Sequence, residues 1–106
     1  MFKIKDANFY KTADQEQIFF VKNFFKVDPG KPVLVFNYGL VCSNHHWKFQ
    51  TEYFDQKGYQ ILVHDYRGHF QSTGIHHLDK ITFPQMAQDI ADLCNFLGIK
   101  KSCMLG

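Results

Sequence analysis

The sequence predicts a three-layer α/β fold, in which a β-hairpin is followed by mostly parallel strands with helices on both faces. Residues 32–37 and 59–64 are short and almost wholly apolar, which is typical of parallel strands covered on both faces. A helical stretch separates these two runs, and a second, more regular helical pattern follows them. With 106 residues, of which 45% are hydrophobic, the chain (residues 1–106) is predicted to be a single domain with a modest core.

The first predicted element is a β-hairpin. Residues 7–12 and 17–25 are the two strands, and the polar segment 13–16 between them is short enough for a tight turn. The second strand mixes aromatic and β-branched side chains, which favour extended backbone. The hairpin is therefore expected to cover part of the core from one edge of the sheet.

A strand, a helix and another strand follow the hairpin. Residues 32–37 form the first of these strands, and a helix with a broad aromatic face runs from about His45 to Gln56. Gly58 suits the carboxyl-terminal cap of this helix, and residues 59–64 form the next strand. This succession predicts a right-handed crossover between two parallel strands.

After the strand at residues 59–64 the sequence predicts a long polar loop, residues 66–81, and then the helix with the most regular spacing of apolar residues. Thr82 and Gln85 have the spacing of a capping box, and Gly98 suits the end of the helix. Residues 101–105 are then predicted to form a short buried strand. The predicted buried face of the helix consists of Phe83, Met86, Ala87, Ile90, Ala91, Cys94 and Leu97.

Composition and missing motifs argue against several functional classes. The net charge is only +2 and no basic run occurs, so we expect no nucleic-acid partner. The three cysteines form no C-x-x-C pair, which favours free thiols in a reducing compartment. The amino-terminal residues do not resemble a secretory leader, and no apolar stretch approaches the roughly 20 residues of a membrane span. We therefore expect a cytoplasmic protein without a membrane span, and the absence of nucleotide-binding motifs predicts no cofactor.

Six histidines raise the question of a metal site. They occur as two adjacent pairs, His45–His46 and His76–His77, and as the separate residues His64 and His69. Adjacent helical residues diverge by about 100°, and no H-x-x-x-H spacing is present, so a shared metal ion is disfavoured. A metalloprotein is the last-ranked interpretation, and no metal ligand is assigned.

The order of the elements resembles the amino-terminal half of the α/β-hydrolase superfamily, and two local motifs carry the resemblance further. The first motif is V-F-N-Y-G-L, ending at Leu40, where the superfamily commonly reads H-G followed by an apolar residue. The resemblance implies that the backbone N–H of Leu40 belongs to an oxyanion hole, which stabilises the negative charge of a tetrahedral intermediate. Gly39 would let the backbone come close to that charge. This chain has Tyr38 where the histidine is usual.

The second motif, D-Y-R-G-H-F-Q-S, begins at Asp65 and resembles the D-x-R-G-x-G-x-S segment of the superfamily. The resemblance implies a structural role for Asp65, Arg67 and Gly68, which would fix the loop beside the site. Phe70 stands where the superfamily has its second glycine. Ser72 lacks the preceding glycine of G-x-S-x-G and the strand–turn–helix context of a nucleophile, so it is predicted to be a turn residue.

Gly106 follows a predicted strand and resembles the glycine that opens G-x-S-x-G, the nucleophile elbow. The resemblance places the nucleophile two residues beyond Gly106, with an acid and a histidine later still. No catalytic residue is therefore assigned here, and the chain is expected to be a partial, truncated domain that is inactive alone. The implied parent reaction is esterase-, lipase- or peptidase-like acyl transfer from a small ester, amide or thioester to water.

An alternative from another class stays open at this point. The chain would then be a small non-catalytic α/β module that binds a partner through an exposed edge of its sheet. An uncovered apolar sheet would also favour self-association.

Overall fold

Over the residues that the structure describes, the chain forms a mixed five-stranded sheet with one helix on each face. The computed structural model describes residues 3–37, 48–69, 72 and 78–105. The strands are β1 (Asp6–Lys11), β2 (Gln17–Lys22), β3 (Val33–Phe36), β4 (Gln60–His64) and β5 (Ser102–Leu105), and the helices are α1 (Lys48–Gln56) and α2 (Phe83–Phe96). A short 3₁₀ helix, Leu78–Lys80, precedes α2.

The strand order across the sheet is β1-β2-β4-β3-β5. β1 and β2 form the predicted antiparallel hairpin, and β2 also pairs antiparallel with β4. β3 lies between β4 and β5 and is parallel to both. The predicted hairpin, the parallel strands that follow it and the three-layer α/β class are therefore confirmed.

The core has two layers because successive side chains of a strand point to opposite faces of the sheet. α2 covers one face, and α1 covers the other through Phe54. The buried residues of the α2 layer are Ile18, Phe20, Phe24, Val33, Val35, Leu62, Ile90, Leu93, Cys94 and Ile99. Those of the α1 layer are Val21, Leu34, Phe36, Ile61 and Val63.

The buried face of α2 differs from the predicted one. Phe83 is 71% exposed, and Ala87 and Ala91 are exposed as well. Leu93 and Asp89 are buried instead, because Leu93 completes the apolar layer and Asp89 binds a buried arginine. The predicted buried positions that are confirmed are Met86, Ile90 and Cys94.

The aromatic side chains of α1 lie mostly outside the core, which corrects the predicted packing of this helix. Phe49 is 79% exposed and Tyr53 is 56% exposed. Phe54 packs against Phe36, with ring centroids 6.3 Å apart. A nine-residue helix turns a single narrow row of side chains toward the sheet, and Phe54 lies in that row. The predicted helix start at His45 lies outside the described residues.

The prediction of a buried final strand is wrong for β5. Ser102, Cys103 and Met104 are exposed, with Met104 at 51%. Within the described part of the chain, β5 pairs with β3 and forms one edge of the sheet. Burial of an apolar strand depends on the elements that flank it, and β3 supplies a neighbour on one side.

β2 ends at Lys22 and not at the predicted residue 25. Asn23 turns the chain out of the strand because its side chain bonds to the backbone of the neighbouring segment. Its amide donates to the carbonyl of Tyr59 at 2.8 Å, and its Oδ1 accepts from the N–H of Ile61 at 2.7 Å. The segment after β2 is thus tied to the beginning of β4.

The ends of α2 match the predicted signals. Thr82 is the N-cap, and its hydroxyl accepts a hydrogen bond from the backbone N–H of Gln85 at 3.3 Å. The side chain of Gln85 donates to Asp89 at 3.0 Å, so it also reaches one turn further along the helix. Gly98 ends the helix with a φ of 74°, a left-handed conformation that favours glycine.

Two findings about the described segments concern membranes and metals. Neither α1 nor α2 is long and apolar enough to cross a bilayer. In the same segments, His, Cys, Asp and Glu side chains do not gather in groups of three that could hold a metal ion. Four of the six histidines, His45, His46, His76 and His77, lie outside the described residues.

Candidate functional site

The carboxyl ends of β3, β4 and β5 meet at one edge of the sheet. Asn37 directly follows β3, and its backbone N–H donates to the carbonyl of Leu105, the last residue of β5, at 2.7 Å. His64 is the last residue of β4. Ligands of open α/β sheets bind in the crevice outside the carboxyl ends of the strands. We call this region, defined by Asn37, His64 and Leu105, the carboxyl edge, and it is the candidate site.

Two polar side chains meet at the carboxyl edge. The Nε2 atom of His64 lies 2.8 Å from Oδ1 of Asn37. Because an amide oxygen is an acceptor, this contact assigns the proton to Nε2 and makes His64 the donor. The Nδ2 group of Asn37 faces the sulfur of Met104 at 3.7 Å. Asn37 therefore links the ends of all three parallel strands.

His64 is fully buried, and burial lowers its pKa from 6.5 to about 4. The charged imidazolium loses its hydration inside the protein, so the neutral ring is favoured. The ring of Tyr66 packs edge-on against His64 with centroids 5.2 Å apart, and burial raises the pKa of Tyr66. At neutral pH the carboxyl edge therefore presents a neutral histidine that acts as a hydrogen-bond donor.

Acidification should destabilise the folded chain through His64. His64 takes up a proton near pH 6.5 in the unfolded chain but only near pH 4 in the folded chain. Protonation therefore favours the unfolded chain, and the stability that the neutral His64 contributes is present above pH 6.5 and is lost as the pH falls to 4. Between about pH 7.5 and about pH 5 we expect a loss of about 2 kcal/mol in the free energy of unfolding. Urea unfolding at both pH values measures it. The control is His64→Gln, which keeps a donor but does not titrate, and equal losses in both proteins would contradict the prediction.

The loop after β4 turns sharply at the second predicted motif. The backbone N–H of His69 donates to the carbonyl of Tyr66 at 3.0 Å, which closes a turn around Arg67 and Gly68. Gly68 has a φ of 71°, a conformation that glycine adopts without steric cost. Asp65 is buried, and its backbone N–H donates to the carbonyl of Phe19 in β2 at 2.9 Å. The structure thus places Asp65, Arg67 and Gly68 together in one fixed loop beside the carboxyl edge.

Arg67 is fully buried and lies between two carboxylates. Its Nε and one terminal nitrogen donate to Asp89 of α2 at 2.6 and 2.8 Å. Its terminal nitrogens also donate to Asp14, in the turn between β1 and β2, at 2.9 and 3.2 Å. We call Arg67, Asp89 and Asp14 the ion network. It joins the hairpin, the loop after β4 and α2 at one buried point.

The charges of the ion network stabilise one another. Hydrogen bonds from Arg67, and next from the Thr12 hydroxyl, hold the pKa of the Asp14 carboxyl well below its usual range. Hydrogen bonding to Asp89 raises the pKa of Arg67 further. The two Asp side chains differ in exposure, since that of Asp89 is 4% exposed and that of Asp14 is 20% exposed. Asp89 therefore has less contact with water than Asp14 and depends more strongly on its ionic hydrogen bonds with Arg67.

Sequence reasoning missed both acidic members of the ion network. Asp89 lies three residues after Met86 and four before Leu93, so it shares their helix face. A charged residue inside an apolar helical stripe is the signal that points to a buried ion pair. Asp14 carries no comparable signal, because acidic residues are common in polar turns.

Ser72 is a buried structural residue, as its loop context predicts. Its hydroxyl donates to the carbonyl of Asp65 at 2.8 Å and accepts from the backbone N–H of Phe19 at 2.7 Å. The proton of the hydroxyl and one of its acceptor lone pairs thereby fasten β2 to the loop after β4. The hydroxyl proton is bound by a backbone carbonyl and not by a general base, so this geometry does not activate Ser72 as a nucleophile.

Replacing Ser72 with alanine should lower the free energy of unfolding by about 1–3 kcal/mol, because the N–H of Phe19 and the carbonyl of Asp65 lose their buried partner. Urea unfolding measures the change. The matched control is Ser102→Ala, which removes the same hydroxyl at an exposed position. A Ser72→Ala variant as stable as the Ser102→Ala variant would contradict the assignment.

The predicted oxyanion residues, Gly39 and Leu40, lie outside the described residues, as does Gly106. Asn37 is the last described residue before Gly39, and Leu105 is the last before Gly106. A surface pocket of about 220 Å³ lies at the opposite, amino-terminal edge of β3 and β4, away from these positions. Its lining residues are Lys31, Pro32, Lys57, Gly58, Tyr59 and Gln60.

Comparisons with known proteins agree on the class of fold. No family model matches the chain. It is 31% identical over 75 residues to the bifunctional esterase/perhydrolase DCH of Acinetobacter calcoaceticus, covering 71% of this chain and 26% of that protein. It is 38% identical over 64 residues to a non-heme chloroperoxidase of Burkholderia pyrrocinia, covering 60% of this chain and 22% of that protein. The chain thus spans about a quarter of the length of these curated relatives.

A solved structure extends the comparison to nearly the whole chain. A hydrolase from Pseudomonas aeruginosa superposes with a TM-score of 0.78 at 20% sequence identity, and the match covers 96% of this chain and 36% of that structure. These relatives and the solved neighbour are proteins of the α/β-hydrolase fold. Together with the observed strand order, they identify the fold of this chain as a part of the α/β-hydrolase fold.

Proposed function

We propose that this chain is part of a hydrolase that transfers the acyl group of a small-molecule ester or amide to water. The observation that carries the proposal is the 2.7 Å hydrogen bond between the N–H of Asn37 and the carbonyl of Leu105. It brings together the two chain positions after which the superfamily has its oxyanion donor and its nucleophile. The similarity to an esterase supports the same reaction class.

In this proposal the backbone N–H of Leu40 stabilises the oxyanion. Leu40 follows Asn37, the last described residue after β3, by three residues in the sequence. Gly39 lets the backbone approach the reacting carbonyl because it has no side chain. Donors that are held in place before the reaction need no reorganisation as the negative charge develops.

The nucleophile in this proposal is not one of these 106 residues. The sequence contains no G-x-S-x-G segment, and the Ser72 hydroxyl donates one structural hydrogen bond and accepts another. A serine nucleophile needs a histidine oriented by a carboxylate, in addition to the oxyanion donors. We therefore propose that the 106-residue chain alone hydrolyses no ester.

Asp65, Arg67 and Gly68 support the site without taking part in the chemistry. The Arg67 guanidinium forms ionic contacts with Asp89, which is buried, and with Asp14, which is partly exposed, and these contacts occupy its nitrogens. The turn at Gly68 directs the chain away from β4. The loop thereby holds its position next to the carboxyl edge.

Ester hydrolysis and active-site labelling test the proposal. The protein as it is naturally produced and the 106-residue chain alone are each assayed with p-nitrophenyl esters and a fluorophosphonate probe, which modifies activated serines. We expect turnover and labelling in the natural protein and neither in the 106-residue chain. A natural protein that neither turns over esters nor reacts with the probe would overturn the esterase-like proposal.

Among the described residues β5 forms an edge of the sheet, and the partial-hydrolase proposal and the binding-module alternative predict different behaviour of the chain on its own. Met104 is 51% exposed there, and an unpaired strand edge invites pairing with another chain. We expect the 106-residue chain on its own to self-associate, and Met104→Lys to shift it toward the monomer in sedimentation velocity. The control, Phe83→Lys, adds the same charge at an exposed position on α2. A monomeric wild-type chain with sharp two-state unfolding would favour an independent module.

We place the protein in the cytoplasm as part of this proposal. Cys94 and Cys103 are free thiols in the structure, as in a reducing compartment. Burial raises the pKa of Cys94, which keeps that thiol protonated and unreactive. Fractionation of the native host, followed by detection of the protein, tests this placement.

A further inference from the structure

The pocket at the amino-terminal edge of β3 and β4 is a concave surface that the proposed function does not use. Its volume of about 220 Å³ is below the roughly 300–1,000 Å³ of pockets for drug-sized ligands, so it suits a small molecule. The turn before β3 forms one wall, and the segment that joins α1 to β4 forms the other. We call it the amino-edge pocket, defined by Lys31, Pro32, Lys57, Gly58, Tyr59 and Gln60.

Hydrogen bonds hold the first wall of the amino-edge pocket in place. Gln60 is buried at the beginning of β4, and its Oε1 accepts from the backbone N–H of Asp28 at 2.7 Å. Its Nε2 donates to the carbonyls of Asp28 and Lys31, each at 3.2 Å. The N–H of Lys31 also donates to the carbonyl of Asp28 at 3.1 Å. These contacts involve no lysine side chain, so this wall is formed before any ligand binds.

The second wall is fixed in the same way. The N–H of Gly58 donates to the carbonyl of Asp55 at 3.0 Å, and that of Tyr59 donates to the carbonyl of Phe54 at 3.1 Å. The rings of Tyr59 and Phe54 pack edge-on with centroids 5.5 Å apart. A side-chain carbon placed at Gly58 would have no heavy atom within 4 Å, so the pocket is open to solvent at this residue.

The charged groups of the amino-edge pocket are positive. Lys31 and Lys57 are both exposed, and the described lining residues include no carboxylate. Two carboxylates in the flanking segments have other partners: Oδ1 of Asp28 accepts from the N–H of Gly30 at 3.0 Å, and Asp55 accepts from an asparagine side chain at 2.9 Å. Two ammonium groups therefore flank the pocket and attract an anion.

The remaining lining indicates which kind of anion fits. Phosphate sites are commonly built from backbone N–H groups that point at the ligand. Here the N–H groups of Lys31, Gly58 and Tyr59 already donate to carbonyls. The ring of Tyr59 is 44% exposed and, with Pro32, offers apolar surface to a flat molecule. We propose that the amino-edge pocket binds a small carboxylate with a flat apolar body, the class that benzoate represents.

Three probes test the ligand class in the protein as it is naturally produced. Benzoate, its neutral analogue benzamide and inorganic phosphate are each titrated into ¹⁵N-glycine-labelled protein, and the amide resonance of Gly58 is followed. We expect benzoate to move this resonance saturably with a Kd of about 1 mM, as its small size allows. Benzamide should bind about 4- to 25-fold more weakly because it lacks the charge that both lysines contact, and phosphate should leave the resonance unchanged.

Glutamine substitutions test the two lysines separately. Lys31→Gln and Lys57→Gln should each weaken benzoate binding about two- to fivefold, and the double variant about 4- to 25-fold. The matched control is Lys48→Gln, which makes the same change at an exposed position of α1 outside the pocket and should keep the wild-type Kd. Urea unfolding of every variant verifies that the fold is kept.

Four results would overturn the proposal. They are a Gly58 resonance that benzoate does not move up to about 10 mM, equal affinity for benzamide, wild-type affinity in the double variant, and an equal loss in Lys48→Gln. Phosphate binding as tightly as benzoate would overturn the preference for an organic carboxylate. Because no readout involves ester hydrolysis, the outcome does not depend on the proposed function.

Discussion

Replacing Arg67 with methionine should lower the free energy of unfolding by about 3–5 kcal/mol, which is the usual effect of removing one partner from a buried ion pair. Arg67 is fully buried, and the Asp89 side chain that it binds at 2.6 Å is only 4% exposed. Without the guanidinium, the buried Asp89 carboxyl group keeps Gln85 as its remaining described donor. Urea unfolding of the protein as it is naturally produced measures the loss.

Three companion variants identify the source of this loss. Lys48→Met removes the same positive charge from an exposed position and should change stability by less than about 0.5 kcal/mol. Arg67→Lys keeps the charge but loses the two-pronged geometry, so it should be destabilised as well. Combining Arg67→Met with Asp89→Leu should recover part of the stability, because no charge is then left buried in α2. A loss below about 1 kcal/mol for Arg67→Met would mean that the network behaves like a surface ion pair.

The fold was accessible from the sequence wherever the signal is local. β3 and β4 appear as short apolar runs because both faces of each strand are covered, and the spacing of Met86 and Ile90 marks α2 as amphipathic. β5 was predicted to be buried like β3, yet Ser102, Cys103 and Met104 are exposed and Leu105 is half-buried. Their neighbours differ, since in the described part of the chain β3 has a strand on each side and β5 forms an edge. Local composition does not carry that information.

The site was less accessible because its contacts join residues far apart in the chain. Arg67 meets Asp89 across 22 residues and Asp14 across 53. His64 meets Asn37 across 27 residues. The D-x-R-G resemblance located the Arg67 loop, but the partners of Arg67 follow from the packing of α2 and of the hairpin against the sheet. The face of α2 was mispredicted for the same reason, since Asp89 is buried by its pairing with Arg67 and not by its own hydropathy.

Substituting proline for Leu40 should lower kcat for ester hydrolysis about 100- to 1,000-fold, which is the typical effect of removing one oxyanion donor. Proline lacks the backbone N–H that the proposed oxyanion hole requires. A donor that binds the transition state more strongly than the substrate affects kcat more than KM, so KM should change little. Initial rates with p-nitrophenyl esters, in the protein as it is naturally produced, give both constants.

Leu40→Ala is the matched control, because it shortens the same side chain and keeps the N–H. Its kcat should stay close to that of the wild type. Proline also restricts the residue before it, but that residue is Gly39, which has the widest conformational freedom, so the substitution should be tolerated. Equal free energies of unfolding in the two variants would confirm that the fold is kept. A proline variant with wild-type kcat would place the oxyanion donor elsewhere, whereas an equal loss of kcat in both variants would assign the effect to the leucine side chain.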